Sequence, residues 1–232
     1  MKYVIIGAGQ FGRALALKLA DTGNEVTVLD EKEAVVTELK DRVAYALVGD
    51  ATDPRTLRQL DLTGDDLRVI VAIGEGFERS IMITGLLKEM GVKHIYARSV
   101  NTIHARILKL LGVDGQIRAE EIAAQQLADR FMNMSLLHFR KIDSSHALAE
   151  VHLPSDWIGK QLKDVDLRSK YKLNLLTVRR GVLSETGDDV LATPNAPVID
   201  FPEPDMVFEQ DDMLVLFGLE ESLKKFAEHF GV

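Results

Sequence analysis

Short apolar runs alternate with helical patterns along the first half of the chain. The runs read YVIIGA, EVTVLD, AYALVGD, LRVIVAIG and HIYARS, followed by a weaker GQIR at residues 115–118. In the stretches between them, apolar residues recur every three or four positions, which is typical of helices packed on one side. These helical stretches are residues 11–22, 33–41, 54–60, 79–90 and 102–111. Because strands that alternate with helices usually pair in parallel, the pattern predicts a doubly wound, mainly parallel α/β sheet.

A different pattern begins in the second half. Residues 120–132 carry an apolar stripe at helical spacing and predict a helix that leads out of the sheet. Beyond it, the strand-like runs ALAEVHLP, NLLTVRRG and DDMLVLFGL alternate apolar and polar residues. A short helix at 162–167 and a final helix at 219–230 complete this pattern. We therefore expect a small α+β domain after the parallel sheet.

Length and composition agree with two domains and limit the kinds of site, partner and cellular location that we expect. The 232 residues suffice for a first domain at 1–135, including the exit helix, and a second at 145–232, with the boundary around 133–145. Because the chain has no cysteine, disulfides and thiolate metal sites are excluded, and no apolar run is long enough to span a membrane. The net charge of −8, without a cluster of Lys and Arg, argues against nucleic acid as a partner. We expect a cytoplasmic protein.

The first strand ends in a glycine fingerprint. Gly7, Gly9 and Gly12 fit G-x-G-x-x-G between a strand and a helix, the context that dinucleotide binding in a Rossmann domain requires. The first glycine permits a tight turn, the second lets phosphate approach the backbone, and the third lets the helix pack closely on the strand. Gln10 and Phe11 lie between them and belong to the same predicted site. A glycine-rich turn without a ligand is the alternative.

An acidic pair ends the second strand. Asp30 follows the glycines at about 20 residues, the spacing at which a carboxylate holds ribose hydroxyls, and Glu31 is next to it. Because a carboxylate repels a 2′-phosphate, NAD(H), ATP, ADP and AMP fit better than NADP. The alternative for Asp30 is a helix N-cap, since Glu33 follows at capping-box spacing.

Several segments together resemble one family. GAGQFG, VLD, VGDATD, VAIGEGFERS and YARSVNTIHARIL, in this order, resemble the regulator-of-potassium-conductance (RCK) domain of TrkA- and KtrA-like regulatory subunits. GKQLKDVDLRSKYKLNLLTVRRG and DDMLVLFG resemble the C-terminal domain that usually follows it. The resemblance implies a regulatory subunit without enzymatic activity, which binds an adenine nucleotide or NAD(H) at the inner face of the cell membrane. Its partner would be a Trk- or Ktr-type potassium-translocating membrane subunit.

The resemblance also implies further nucleotide contacts. Asp50 and Ala51 would lie beside the adenosine end, and Ile73 and Gly74 would shape the base pocket. For Asp50 a helix-capping role is the alternative. One departure is Gln10, because nucleotide-gated relatives often carry arginine after the second fingerprint glycine.

Three residues in later loops complete the predicted nucleotide site. Arg98, with Asn101 in the same loop, would approach the phosphates, although a surface ion pair is the alternative for Arg98. Glu120 resembles a residue that reaches a nucleotide across a dimer, sometimes through a divalent cation such as Mg²⁺ or Ca²⁺. Ala119 replaces the proline that usually precedes it, and a carboxylate that stabilises a helix start is the alternative role.

A second ligand is implied for the C-terminal domain. Asp166, Arg168 and Asn174 resemble the pattern by which some family members bind cyclic di-AMP at a two-fold interface. The sequence departs from that pattern at Lys163, where an aliphatic residue is usual, and a structural pair between Arg168 and an aspartate is the alternative.

The family resemblance implies assembly, and two other functions remain open. Dimers would form through the segment after the sheet and assemble into an octameric ring, with Ile103, Ile107 and Leu111 available as an apolar interface or as core. An NAD-dependent oxidoreductase would use the same fingerprint. The histidines of this chain, however, form no recognisable catalytic motif. A soluble nucleotide sensor for another transporter is the other alternative.

Overall fold

A computed structural model gives the fold and describes residues 1–132, 136–181 and 197–231. These residues divide into two compact units, Met1–Ile122 and Ala123–Val232. The division falls inside a helix whose side chains are mostly exposed, earlier than the boundary at 133–145 that the sequence suggests.

The first unit contains six strands and the helices that connect them. The strands are β1 (Lys2–Ile6), β2 (Glu25–Asp30), β3 (Tyr45–Val48), β4 (Leu67–Val71), β5 (Ile95–Arg98) and β6 (Gly115–Ile117). The helices are α1 (Gln10–Asp21), α2 (Glu33–Leu39), α3 (Pro54–Leu57), α4 (Phe77–Glu89), α5 (Thr102–Leu110) and α6 (Ala119–Met132), the last of which continues into the second unit. All neighbouring strands are parallel, in the order β3-β2-β1-β4-β5-β6. The predicted doubly wound sheet is confirmed.

Apolar side chains cover both faces of this sheet. Ile6 and Val4 belong to a core shared with α3, α4 and α5, whereas Ile5 belongs to a core shared with α1 and α2. Successive residues of β1 therefore point to opposite faces, and both are buried. The strand order reverses between β1 and β4, and at such a switch point the carboxyl ends of the strands leave a crevice for ligands.

The second unit is built on an antiparallel sheet. Its strands are β7 (Leu137–Lys141), β8 (His146–His152), β9 (Leu173–Arg179), β10 (Val198–Ile199) and β11 (Met213–Leu219), in the order β10-β9-β11-β8-β7. Two helices, α7 (Leu167–Tyr171) and α8 (Glu220–Phe230), contribute to its core. Trp157 lies in that core, with its ring 5.5 Å from that of Phe226. The predicted small α+β domain is confirmed.

Two local features of the second unit differ from the sequence prediction. The prediction of a helix at 162–167 is wrong, because a 3-10 turn covers Leu162–Asp164 and α7 begins only at Leu167. The reason is that Asp166 accepts a hydrogen bond from the Ser169 backbone N–H at 3.0 Å and so caps a later helix. Strand β7 also lies in the segment that the sequence assigned to the domain boundary.

Helix α5 presents apolar side chains to solvent. Ile103 is 66% exposed and Leu110 80% exposed, while Ile107 and Leu111 are half-buried. The alternative that Ile103, Ile107 and Leu111 are core residues is therefore wrong within this single chain. None of the helices in the described ranges is both long enough and apolar enough to cross a membrane.

Candidate nucleotide-binding site

The turn between β1 and α1 can hold only glycine at two positions. Gly7 has φ of +91°, and a Cβ there would meet the Ile73 Cγ1 atom at 2.9 Å. A Cβ on Gly12 would lie 2.0 Å from the Gly7 carbonyl oxygen and 3.2 Å from the Ala72 Cβ. The third fingerprint glycine therefore allows α1 to start directly against the turn, which fixes the direction of its N-terminus.

The second fingerprint glycine faces open space. A Cβ on Gly9 would meet no atom within 4 Å, so the surrounding protein does not require glycine here. Gly9 is the N-cap of α1, makes no side-chain capping bond, and no acidic residue lies in the first turn. The first amides of α1 and the helix dipole are thus available to an anion, and Gly9 leaves room for its oxygen atoms to approach. These features fit a phosphate group.

Asp30 connects the second strand to the glycine turn. Its Oδ2 accepts a hydrogen bond from the Ala8 N–H at 2.6 Å, and its Oδ1 accepts one from the Lys32 N–H at 2.9 Å. The N-cap of α2 is Lys32, without a side-chain capping bond, so the alternative that Asp30 caps this helix is wrong. A carboxylate oxygen can accept more than one hydrogen bond, so Asp30 can brace the turn and still accept from a ribose hydroxyl.

Asp50 and Ala51 follow β3 at the same edge of the sheet. The Asp50 Oδ1 accepts bonds from the Thr52 N–H at 2.9 Å and the Thr52 hydroxyl at 2.8 Å. These bonds, led by the backbone one, hold the pKa of Asp50 below its usual value. The N-cap of α3 is Asp53, so the alternative that Asp50 caps that helix is wrong. Ala51 is buried and its side chain belongs to the core.

Arg98 lies over the loop that follows β4. A Cβ on Gly74 would lie 2.6 Å from the Arg98 Nη1 atom, so the lack of a side chain there lets the guanidinium pack on the backbone. The Arg98 Cζ atom is also 5.4 Å from the centre of the Phe11 ring, in cation–π geometry. Ile73, beside Gly74, packs against the core. In the described parts of the chain, the buried Arg98 Nε has no hydrogen-bond partner. A buried donor of this kind is satisfied when an anionic ligand accepts from it.

Arg98, at the end of β5, and Asn101, after it, have partners within the first unit. Arg98 donates a hydrogen bond from Nη2 to the Glu120 Oε1, and this pair lowers the pKa of Glu120. The sequence offered a surface ion pair as the alternative role of Arg98, and an ion pair is present. It is not fully at the surface, because the Arg98 side chain is only 18% exposed whereas that of Glu120 is 64% exposed. Asn101 caps α5 by accepting from the His104 N–H at 2.8 Å.

A metal site is not assembled around Glu120. Among the residues that the structure describes, no three or more His, Asp or Glu side chains come together as they would around a metal ion. Glu120 lies in the first turn of α6, where the helix dipole favours a carboxylate, so its alternative role is compatible with its position.

Arg79 is a site residue that the sequence prediction missed. It lies in the first turn of α4, and its Nη2 donates to the Glu31 Oε2 at 2.7 Å and to the Asp50 Oδ1 at 3.2 Å. The bond from Arg79 lowers the pKa of Glu31. Arg79 belongs to the FERS segment, which is part of the family resemblance and could have pointed to it. The local sequence, however, does not predict that Arg79 contacts carboxylates on two other loops.

The residues predicted to bind a second ligand lie in the second unit. Asp166 is the N-cap of α7 and Arg168 is the second residue of that helix, exposed to solvent. Asn174 lies on β9 opposite Phe217 of β11. No ion pair of Arg168 occurs among the described residues, so the structural Arg168–aspartate pair is not found there.

Comparison with known proteins identifies the family. The TrkA-N domain model matches residues 3–119, the segment that contains the parallel sheet and the glycine turn. Over 97% of its length the chain is 31% identical to the Ktr system potassium uptake protein C of Bacillus subtilis, of which the match covers 95%. The chain belongs to the TrkA-N family. The fingerprint glycines, Asp30 and Arg98 all lie within the residues that match the TrkA-N domain.

Solved structures agree on the fold. The GsuK RCK domain aligns with 100% of this TrkA-N family chain at a TM-score of 0.57 and 17% identity, and the GsuK channel bound to NAD aligns with 99% at 0.55 and 18%. The chain spans 48% and 39% of those two chains, respectively. At this identity the likeness supports the two-unit RCK fold and does not transfer residue roles.

Proposed function

We propose that this chain is a nucleotide-binding regulatory subunit of a membrane potassium uptake system of the Ktr or Trk type. The observation that carries the proposal is the glycine turn. The uncapped start of α1, the open space at Gly9 and the buried Arg98 Nε, which has no hydrogen-bond partner among the described residues, all favour a phosphate. The similarity to a Ktr system potassium uptake protein over nearly the whole chain supports the transport role.

The ligand is an adenine nucleotide, ATP, ADP or AMP, or NAD(H). Phosphates would contact the amides at the start of α1 and Arg98, and Asp30 would accept from the ribose hydroxyls. Ile73 and Gly74 would border the base, with Asp50 and Ala51 at the adenosine end. The structure solved for the GsuK channel bound to NAD supports a dinucleotide as one member of this ligand class.

The proposed assembly is a ring of dimers on a membrane partner. The exposed side chains of α5, together with Ile122 and Phe131 on α6, offer apolar surface for contacts between copies. An octameric ring would lie at the cytoplasmic face of the translocating subunit. Nucleotides with different affinities for two shapes of the ring would then bias potassium flux, and this coupling requires no chemical reaction on the ligand.

The proposal includes two further ligands. Cyclic di-AMP would bind between two copies near Asp166, Arg168 and Asn174, where the exposed Arg168 can approach a phosphate. A divalent cation, Mg²⁺ or Ca²⁺, would reach Glu120 only if a ligand separated it from Arg98.

The nucleotide assignment predicts a loss of ligand stabilisation in Asp30→Asn. In the wild-type chain, ADP, ATP or NADH at one hundred times its Kd should stabilise the fold by about 2.7 kcal/mol, and NADPH should do less. Asparagine can still accept from the Ala8 N–H, but its amino group cannot accept from a ribose hydroxyl. We expect the thermal shift with ADP to decrease markedly in differential scanning fluorimetry. Equal shifts with NADH and NADPH would contradict the ribose assignment.

The transport role is tested separately by co-purification and flux. The chain should co-purify with a Ktr-type translocating subunit, and potassium uptake into vesicles that carry both should respond to nucleotide. Asp30→Asn should keep the interaction and lose the response. If the chain binds nucleotide without affecting flux, it serves another transporter; if it oxidises NADH with a substrate, the oxidoreductase alternative replaces the proposal.

Gln10 predicts weak discrimination between ATP and ADP. The side chain is exposed at the start of α1, and Arg13, the next cation on this helix, forms an ion pair with Glu38. A neutral amide offers hydrogen bonds roughly half as strong as charge-assisted ones to a terminal phosphate. By isothermal titration, ATP and ADP should bind within about tenfold of each other, below roughly 1.4 kcal/mol. Gln10→Arg should increase the ATP preference, and a hundredfold preference in the wild type would contradict this reasoning.

A further inference from the structure

The adenosine end of the proposed site contains three carboxylates and one guanidinium. Asp30 ends the second strand and Glu31 follows it, and Asp50 follows the third strand. The Arg79 Nη2 atom lies 2.7 Å from the Glu31 Oε2 and 3.2 Å from the Asp50 Oδ1. One nitrogen of Arg79 therefore joins two neighbouring loops at the carboxyl edge of the sheet.

Arg79 remains accessible although it is paired. Its side chain is 40% exposed, and those of Glu31 and Asp50 are 47% and 53% exposed. Both bonds use Nη2, so within the described residues Nη1 and Nε keep free hydrogen-bonding capacity. Exposed ion pairs of this kind are weak, so the guanidinium can exchange partners when a stronger anion competes.

The charge balance determines which anion can compete. The carboxylates of Asp30, Glu31 and Asp50 outnumber the two nearby cations, Arg79 and the exposed Lys32. A phosphate monoester carries about −1.5 to −2 charges at pH 7, so these carboxylates repel it, whereas a ribose hydroxyl can donate a hydrogen bond to them. A site with the same arginine and fewer carboxylates would favour the phosphate.

We propose that Glu31 and Asp50 mask Arg79, so that the site accepts adenosine ligands with a free 2′-hydroxyl and rejects those with a 2′-phosphate. This inference rests on the proposed nucleotide site. Arg79 is thus a specificity-determining residue: the cation that would hold a 2′-phosphate is present but is neutralised by carboxylates from two loops. Removing one of these carboxylates should expose a 2′-phosphate-binding capacity in the protein.

The test compares two ligands that differ only in the 2′ group, AMP and adenosine 2′,5′-bisphosphate. Isothermal titration with the wild-type chain should show a preference for AMP. In Glu31→Gln, the affinity for the bisphosphate relative to AMP should rise by about tenfold, the scale of one charge-assisted hydrogen bond. The double variant Glu31→Gln/Arg79→Met should lose this gain, because the guanidinium is gone.

Glu33→Gln is the matched control. Glu33 lies in the first turn of α2, so this variant makes the same change in net charge without touching Arg79. It should leave the ratio of affinities unchanged. An equal gain in Glu33→Gln, or a gain that persists in the double variant through Lys32, would overturn the masking. The masking would also be overturned if Glu31→Gln bound AMP normally and kept the wild-type ratio of affinities for the bisphosphate and AMP. Failure of the wild-type chain to bind AMP, ADP or NADH would instead contradict the proposed nucleotide site itself.

Discussion

Gly9→Ala is expected to weaken nucleotide binding, whereas Gly12→Ala is expected to destabilise the fold. At Gly9 an added methyl group meets no protein atom within 4 Å, and φ is −59°, so the fold should tolerate alanine. The methyl group would instead occupy the space of the ligand's phosphate oxygens. We expect ADP affinity to fall by at least tenfold, or about 1.4 kcal/mol, with little change in melting temperature.

Alanine at Gly12 is expected to damage the fold itself. Its Cβ would lie 2.0 Å from a backbone oxygen of the Gly7 turn, so β1 or α1 has to move. Overpacking of this kind costs about 1–3 kcal/mol and occasionally more, which exceeds the gain of roughly 0.5–1 kcal/mol from replacing glycine within a helix. Calorimetry should show a melting temperature lower by several degrees. A stable Gly12→Ala chain, or a Gly9→Ala chain that binds ADP normally, would contradict this account of the turn.

Arg180→Met should destabilise the second unit by about 3 kcal/mol, because it leaves a buried carboxylate without its cation. The Asp212 side chain is fully buried and accepts bonds from the Arg180 Nε at 2.8 Å and Nη2 at 2.9 Å. The Glu209 N–H also donates to it, at 2.8 Å. Because Arg180 is itself 30% exposed, water can partly replace it, so we expect the lower end of the usual range for a broken buried pair. Urea unfolding measures the loss.

Two further variants separate burial from charge in this prediction. Lys93→Met removes the cation of an exposed pair with Asp65 and should change stability little. The double variant Arg180→Met/Asp212→Leu should recover part of the stability, because no charge remains buried. If Arg180→Met were no more harmful than Lys93→Met, the Arg180–Asp212 pair would not be a principal support of the second unit.

The sequence predicted the parallel sheet more completely than the antiparallel one. The central strands β1 and β4 are compact apolar runs, because they are buried on both faces, and such runs are visible without knowing their partners. Strand β7 reads LHFRK and β10 has two residues, so neither carries a pattern that differs from a loop. Their strand structure depends on hydrogen bonds to β8 and β9, which the sequence does not reveal.

By itself, the sequence determined the glycine turn, the acidic end of β2 and the family. These features are local: the backbone angle of Gly7 and the close approach of Gly12 require glycine wherever this strand–turn–helix occurs. Only the tertiary structure decided which charges pair. Arg79 lies 48 residues from Glu31 and 29 from Asp50, and the three meet because parallel strands bring the loops after β2, β3 and β4 to one edge of the sheet. Contacts set by strand order rather than by local spacing leave no periodic signal in the chain.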